Sequence, residues 1–101
     1  MRYLQIIPKK NFNIYGALVK KERSLRREEK GTWRRSGTGK WIHERYYGWV
    51  TFERSLGNIL SVELRSKVQD AEWQLLSAFV GFVDRHFSNK IRAVNIEFAD
   101  Q

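Results

Sequence analysis

The sequence predicts an α+β fold: a mainly antiparallel sheet of about four to six strands, with one or two helices packed on one face. Three observations lead there. Residues 47–65 alternate between two faces on either side of a Ser-Leu-Gly-Asn turn, as a β-hairpin does. Residues 70–87 place apolar side chains three and four apart, the spacing of a helix that buries one face. The 101 residues contain no internal repeat, low-complexity tract or linker, so residues 1–101 are read as a single domain.

Arg2 to Ile7 alternates weakly and reads as a short strand that Pro8 ends, because proline cannot donate to a ladder. Asn11 or Asn13 then stands where a helix cap is wanted. Phe12 to Glu29 follows helical spacing through Phe12, Tyr15, Leu18, Val19, Glu22 and Leu25. Gly31 is placed for a left-handed terminus, and Glu22 with Arg26 forms an i,i+4 pair. A strand followed by a charged loop also fits Ile14 to Val19, but the absence of turn formers from Lys20 to Glu29 favours helix. Composition and periodicity do not decide whether residues 20–40 are ordered.

Thr32 to Arg35 can start a strand, and Ser36-Gly37-Thr38-Gly39 can reverse it. Trp41, His43 and Arg45 then share one face while Ile42, Glu44 and Tyr46 share the other. Gly48 marks a bend, so Trp41–Arg54 is one kinked strand or two. In the hairpin beyond, Tyr47, Trp49, Thr51 and Glu53 oppose Val50 and Phe52. Its second strand sets Leu60, Val62 and Leu64 against Ser61, Glu63 and Arg65. Asp70 is the expected N-cap of the second helix, with Glu72 in its first turn. Trp73, Leu76, Val80, Val83 and Phe87 form its stripe, widened by Leu75, Phe79 and Phe82. Ile91 to Phe98 closes the chain as a strand.

Composition narrows the chemistry. There are no cysteines, which removes disulfides, thiolate metal sites and a cysteine nucleophile together. No apolar run approaches a membrane span and the first residues do not resemble a signal peptide, so a cytoplasmic protein is expected. Charge is uneven. Residues 1–58 hold fourteen Lys/Arg against five Asp/Glu, and residues 59–101 hold five against six, so the net +8 resides in the first part. Such a distribution attracts phosphates or acidic proteins, or merely solubilises a helix and a loop.

Two clusters carry binding potential. Arg23, Arg26, Arg27 and Lys30 fall on one helical stripe, continued in sequence by Arg34, Arg35 and Lys40. This arrangement neutralises phosphates without sequence preference, though the intervening Glu22, Glu28 and Glu29 also suit a solvated, ion-paired helix. The second cluster is aromatic. Arg45-Tyr46-Tyr47-Gly48-Trp49-Val50-Thr51-Phe52 resembles the aromatic octamer of the RNA-recognition motif, K/R-G-F/Y-G/A-F-V-x-F/Y. Tyr46 stands where that pattern has glycine, and Trp49 replaces one aromatic by another. The resemblance implies Tyr47 and Trp49 as base stackers and Arg45 as a phosphate contact. Phe52 matches by letter, yet alternation puts it with Val50 on the buried side. Without the resemblance, Trp33, Trp41, Tyr47 and Trp49 read equally as a second small core or as a protein interface.

Catalysis finds little support. His43 and Glu44 point to opposite faces of a strand, His86 sits where a helix C-terminus favours a cation, and metal-ligand spacing is absent. The expectation is a non-enzymatic basic module with no cofactor and no metal. It would bind RNA or single-stranded DNA through Arg23, Arg26, Arg27, Lys30, Arg34, Arg35, Lys40, Trp41, Arg45, Tyr47 and Trp49. The alternative is a protein-interaction module, with an acidic protein or a second copy of the chain as partner.

Overall fold

A computed structural model describes residues 1–99. In chain order they form β1 (Arg2–Pro8), α1 (Ile14–Arg27), β2 (Trp33–Arg35), β3 (Lys40–His43), β4 (Trp49–Arg54), β5 (Leu60–Arg65), α2 (Gln69–Phe87) and β6 (Ile91–Phe98). The six strands make one sheet in the order β2-β3-β4-β5-β1-β6, every neighbouring pair antiparallel. The α+β class follows as expected. Because β4 and β1 both oppose β5, they run parallel with β5 between them; β5 and β6 likewise flank β1. The chain is thus two interleaved split βαβ units, with the β2–β3 hairpin inserted into the first crossover.

Alternation along the strands decides the layers. Leu4, Ile6, Val50, Leu60, Val62 and Leu64 are buried on one sheet face, beneath Leu75, Leu76, Phe79, Phe82 and Val83 of α2. Ile14 and Leu18 of α1 join the same cluster, and Tyr15 meets Phe52 edge-on at 5.9 Å. Both helices therefore belong to this side of the sheet. The opposite face is uncovered. Among the described residues no helix is long and apolar enough to cross a membrane.

Local chemistry explains the helix ends. Asn13 caps α1, its side-chain oxygen accepting the Gly16 N–H at 3.0 Å, a contact worth about 1 kcal/mol. Termination comes earlier than Gly31 suggests: Glu29 takes the left-handed conformation (φ 58°), and the Lys30 N–H closes on the Leu25 carbonyl at 2.8 Å. Glu22 lies on the buried stripe with Ile14 and Leu18, 3% exposed, its carboxylate 3.5 Å from Arg26 Nε.

The start of α2 departs from expectation. Val68, not Asp70, is the N-cap and provides no side-chain bond. The Ser66 hydroxyl instead accepts the Val68 N–H at 3.1 Å and donates to the Tyr47 carbonyl at 2.6 Å. The Glu72 carboxylate turns inward to Arg2 Nη1 at 2.6 Å and the Met1 nitrogen at 2.7 Å. Trp73 is displaced from the stripe, since Ala71, Leu75, Phe79 and Val83 define the sheet-facing line and its own position is 60% exposed. In the β4–β5 turn, Gly57 and Asn58 both take positive φ, as the Gly-Asn pair predicts.

Candidate nucleic-acid interface

The open sheet face is built from the side chains that alternation leaves pointing away from the helices. Cross-strand pairing aligns Arg34 with Ile42, Ile42 with Trp49, and Trp49 with Arg65, so these four make one row across β2, β3, β4 and β5. In the next row Lys40 pairs with Thr51, Thr51 with Glu63, Glu63 with Tyr3, and Tyr3 with Glu97. The Lys40 ammonium sits 5.1 Å from the Trp49 ring centroid, a cation–π contact. Ile42 is 41% exposed. Arg34 is held by two carbonyls, Gly31 at 3.1 Å and Trp33 at 2.9 Å, while Arg65 is paired with Glu63. The corner of this face made by β2, β3 and the start of β4 is consequently aromatic and basic, whereas Glu53 further along β4, Glu63 and Glu97 make the rest mixed in sign.

The octamer that resembles the RNA-recognition motif divides. Arg45 to Gly48 form a loop, and only Trp49 onward is strand. In that loop Tyr47 is 79% exposed and Arg45 is exposed. Phe52 lies on the helix side, packed against Trp41 at 5.1 Å and Phe79 at 5.9 Å. A single alternating strand cannot present all its aromatics to one ligand, and here Phe52 faces the core while Trp49 does not.

His43 organises the loop. Its Nδ1 accepts the backbone N–H groups of Arg45 and Tyr46 at 3.0 and 3.2 Å, and its ring stacks on Tyr46 and meets Trp33 edge-on, each at 4.8 Å. Desolvation pushes its pKa below the ordinary value, Arg45 lowers it further, and Glu44 opposes them. The neutral ring is therefore the form that holds residues 44–48. Gly48 closes the loop onto the sheet at φ 138°, where an added Cβ would collide with the Arg65 carbonyl and come within 2.7 Å of Leu75. The expected bend at Gly48 is thus also a close approach of backbone to backbone.

The remaining basic residues lie elsewhere. Arg23, Arg26 and Arg27 do form an exposed stripe, but on α1, in the helix layer, not beside Trp49; Lys30 is exposed but leaves the expected stripe, because the helix ends before it. Arg35 pairs with Trp41 and so points to the helix side at the exposed β2 edge, opposite in sense to Arg34. Trp41 leaves the set of available rings. It is 2% exposed, and its ring meets Phe82 at 5.6 Å. Trp33, 3% exposed, meets Phe79 at 5.7 Å, so both tryptophans join the one main core and no second small core forms from them.

Some groups were not legible as part of a surface. Arg65 and Ile42 enter the open face only through register. A cleft of about 420 Å³ between α1 and the end of α2 gathers Lys20, Lys21 and Lys90 around Phe12, Phe87 and His86. There desolvation, then Lys21 and Arg85, push the His86 pKa down. The expected cation at the helix terminus is thus opposed by removal from water and by neighbouring positive charge. Among the described residues no group of three or more His, Asp or Glu is positioned to hold a metal ion. No protein-family model, curated protein or solved structure matches the chain.

Proposed function

We propose that this chain is a small non-enzymatic module that binds single-stranded nucleic acid across the β2–β3–β4 end of its open sheet face. One observation carries the reading: Trp49 lies between Ile42 and Arg65 in a single row, with Lys40 over its ring and Arg34 at the row's outer end. A base stacked on Trp49 would gain about 1–3 kcal/mol. Lys40 and Arg34 stand where the flanking phosphates would lie, and the exposed Tyr47 extends the stacking surface. A strand continuing over the short β2 edge would meet Arg35 and then Arg23, Arg26 and Arg27 of α1, with Lys30 just past the helix end. Those contacts are to phosphate and carry no sequence preference. A cysteine-free chain of this composition suits the cytoplasm.

Tryptophan fluorescence tests this. Trp33 and Trp41 are enclosed and the exposed Trp73 lies on α2, away from the open face, so quenching by short RNA and DNA oligonucleotides should come from Trp49 and disappear in Trp49→Phe. Affinity should fall as salt rises, with a negative log–log slope, and Lys40→Ala should weaken binding and flatten that slope by about one unit. Absent quenching, or binding indifferent to salt, would refute the reading. Capture of an acidic protein that tolerates Trp49→Ala would move the function to protein interaction.

A further inference from the structure

The sheet ends in two unlike edges. At one side lies β2, three residues long and carrying Arg34 and Arg35. A short, charged edge strand is how sheets discourage pairing with another chain. At the other side lies β6, eight residues with no lysine or proline, IRAVNIEF. Its register with β1 runs unbroken from Ala93 to Phe98, the single irregularity falling between Ile7 and Pro8, so that Arg92 is the extra residue. The Ala99 N–H donates to the Met1 carbonyl at 3.2 Å. Antiparallel ladders alternate, so Ala93, Asn95 and Glu97 also bond to β1, and Val94, Ile96 and Phe98 direct their N–H and C=O groups outward. The same three residues put their side chains on the helix side, where α2 covers them incompletely: Ile96 is 39% and Phe98 60% exposed, next to Trp73 at 60%. Trp73, Leu76, Val80, Gly81 and Ile96 line one groove there.

We propose that β6 pairs antiparallel with β6 of a second copy, about a two-fold axis through Ile96, to give a continuous twelve-stranded sheet. This register sets Ile96 against its symmetry mate, Val94 against Phe98 and Asn95 against Glu97. Apolar side chains meet apolar ones on the helix side, and an amide that can donate meets a carboxylate on the open face. No like charges are opposed, and both chains offer the same outward hydrogen-bonding groups, as an isologous interface requires. Charge selects the occupant. Residues 59–101, which supply β6 and α2, carry a formal −1, while the +9 of residues 1–58 includes every basic residue of α1, β2 and β3. Two copies joined at β6 keep the basic β2 and β3 strands at opposite extremes of the sheet, away from each other. The two grooves become one cleft floored by both β6 strands and flanked by both Trp73 rings. This inference is independent of nucleic-acid binding and is tested without it.

Light scattering on the purified chain should give twice the monomer mass of 12.1 kDa, dissociating on dilution, and Ile96→Lys should return the monomer mass at every concentration. The chain has no cysteine, which permits a direct trap. Hydrogen-bonded residues opposed across an antiparallel pair have Cα atoms about 5.5 Å apart, within the span of a disulfide. Ile96→Cys should therefore oxidise to a covalent dimer, while Ile42→Cys, equally exposed at the far side of the sheet, should not. A wild-type mass of one chain throughout, a dimer that survives Ile96→Lys, or cross-linking of Ile42→Cys as complete as that of Ile96→Cys overturns the proposal.

Discussion

Trp41 and Trp49 belong to neighbouring strands of one hairpin and lie a single step apart in register, Trp41 opposite Val50 and Trp49 opposite Ile42. Their surroundings have nothing in common. Trp41 is enclosed by Phe52 and Phe82 and is 2% exposed. Trp49 lies on the uncovered side with an ammonium group above it. The pleat sends adjacent positions to opposite faces, and α2 covers only one of them. Identical side chains in the same hairpin thus do unlike work: one fills volume, and the other presents an amphipathic surface beside positive charge. A Trp-rich strand is accordingly not in itself a binding motif, because half of its rings belong to the core.

Substitution at the two tryptophans should separate these roles most sharply. Trp41→Ala should cost about 3–5 kcal/mol in urea unfolding, the range for emptying a large aromatic site. Trp49→Ala, at a half-buried ring, should cost clearly less than that while removing the proposed nucleic-acid affinity. Comparable losses of stability from the two would erase the distinction between the faces. Gly48, where the 44–48 loop enters β4, comes next. Gly48→Ala combines a disfavoured φ with a collision against backbone, and about 2–4 kcal/mol is expected; a loss below 1 kcal/mol would mean that the β4–β5 junction opens easily. The smallest effect concerns pH.

A histidine whose pKa is depressed by folding adds stability above its unfolded value, about 6.5, and that stability is lost as pH falls toward the folded value. Protonating His43 removes the acceptor used by the Arg45 and Tyr46 amides. The protection factors of those two amides, exchange rates corrected for the intrinsic pH dependence, should therefore fall below about pH 6.5, while those of core amides hold. His86 shifts in the same direction, so His43→Asn, which cannot titrate, isolates the loop's response. Unchanged protection factors between pH 7 and pH 5 would remove His43 from its organising role.

Most of the fold was legible because its elements have strong periods. The alternation of Leu60, Val62 and Leu64, and the spacing of Leu75, Leu76, Phe79, Phe82 and Val83, each match the burial observed. What failed were features at the ends and edges of those periods. Trp73 looked like a stripe residue, since one helical position changes direction by about 100° and a broad stripe tolerates either assignment. Asp70 looked like a cap, yet Ser66 and the Tyr47 carbonyl set the start of α2. Glu72 looked like a dipole partner, and Arg2, seventy residues away in sequence, claimed it. The candidate site was legible as two inventories, an aromatic strand and a basic helix. That they lie in different layers was not, because periodicity states which residues share a face of one element and not which faces of two elements coincide.

Taken alone, the sequence determined the helical and strand periods, the concentration of positive charge before residue 59 and the absence of thiol chemistry. These are local or additive properties, carried by neighbours a few positions apart or by composition. Tertiary structure decided that both helices cover the same side of the sheet, that Trp41 is enclosed while Trp49 is not, and that β6 stands at an unguarded edge beside Trp73. Each of those outcomes depends on contacts between segments distant along the chain, where burial of apolar surface selects one arrangement among several that the same periods allow.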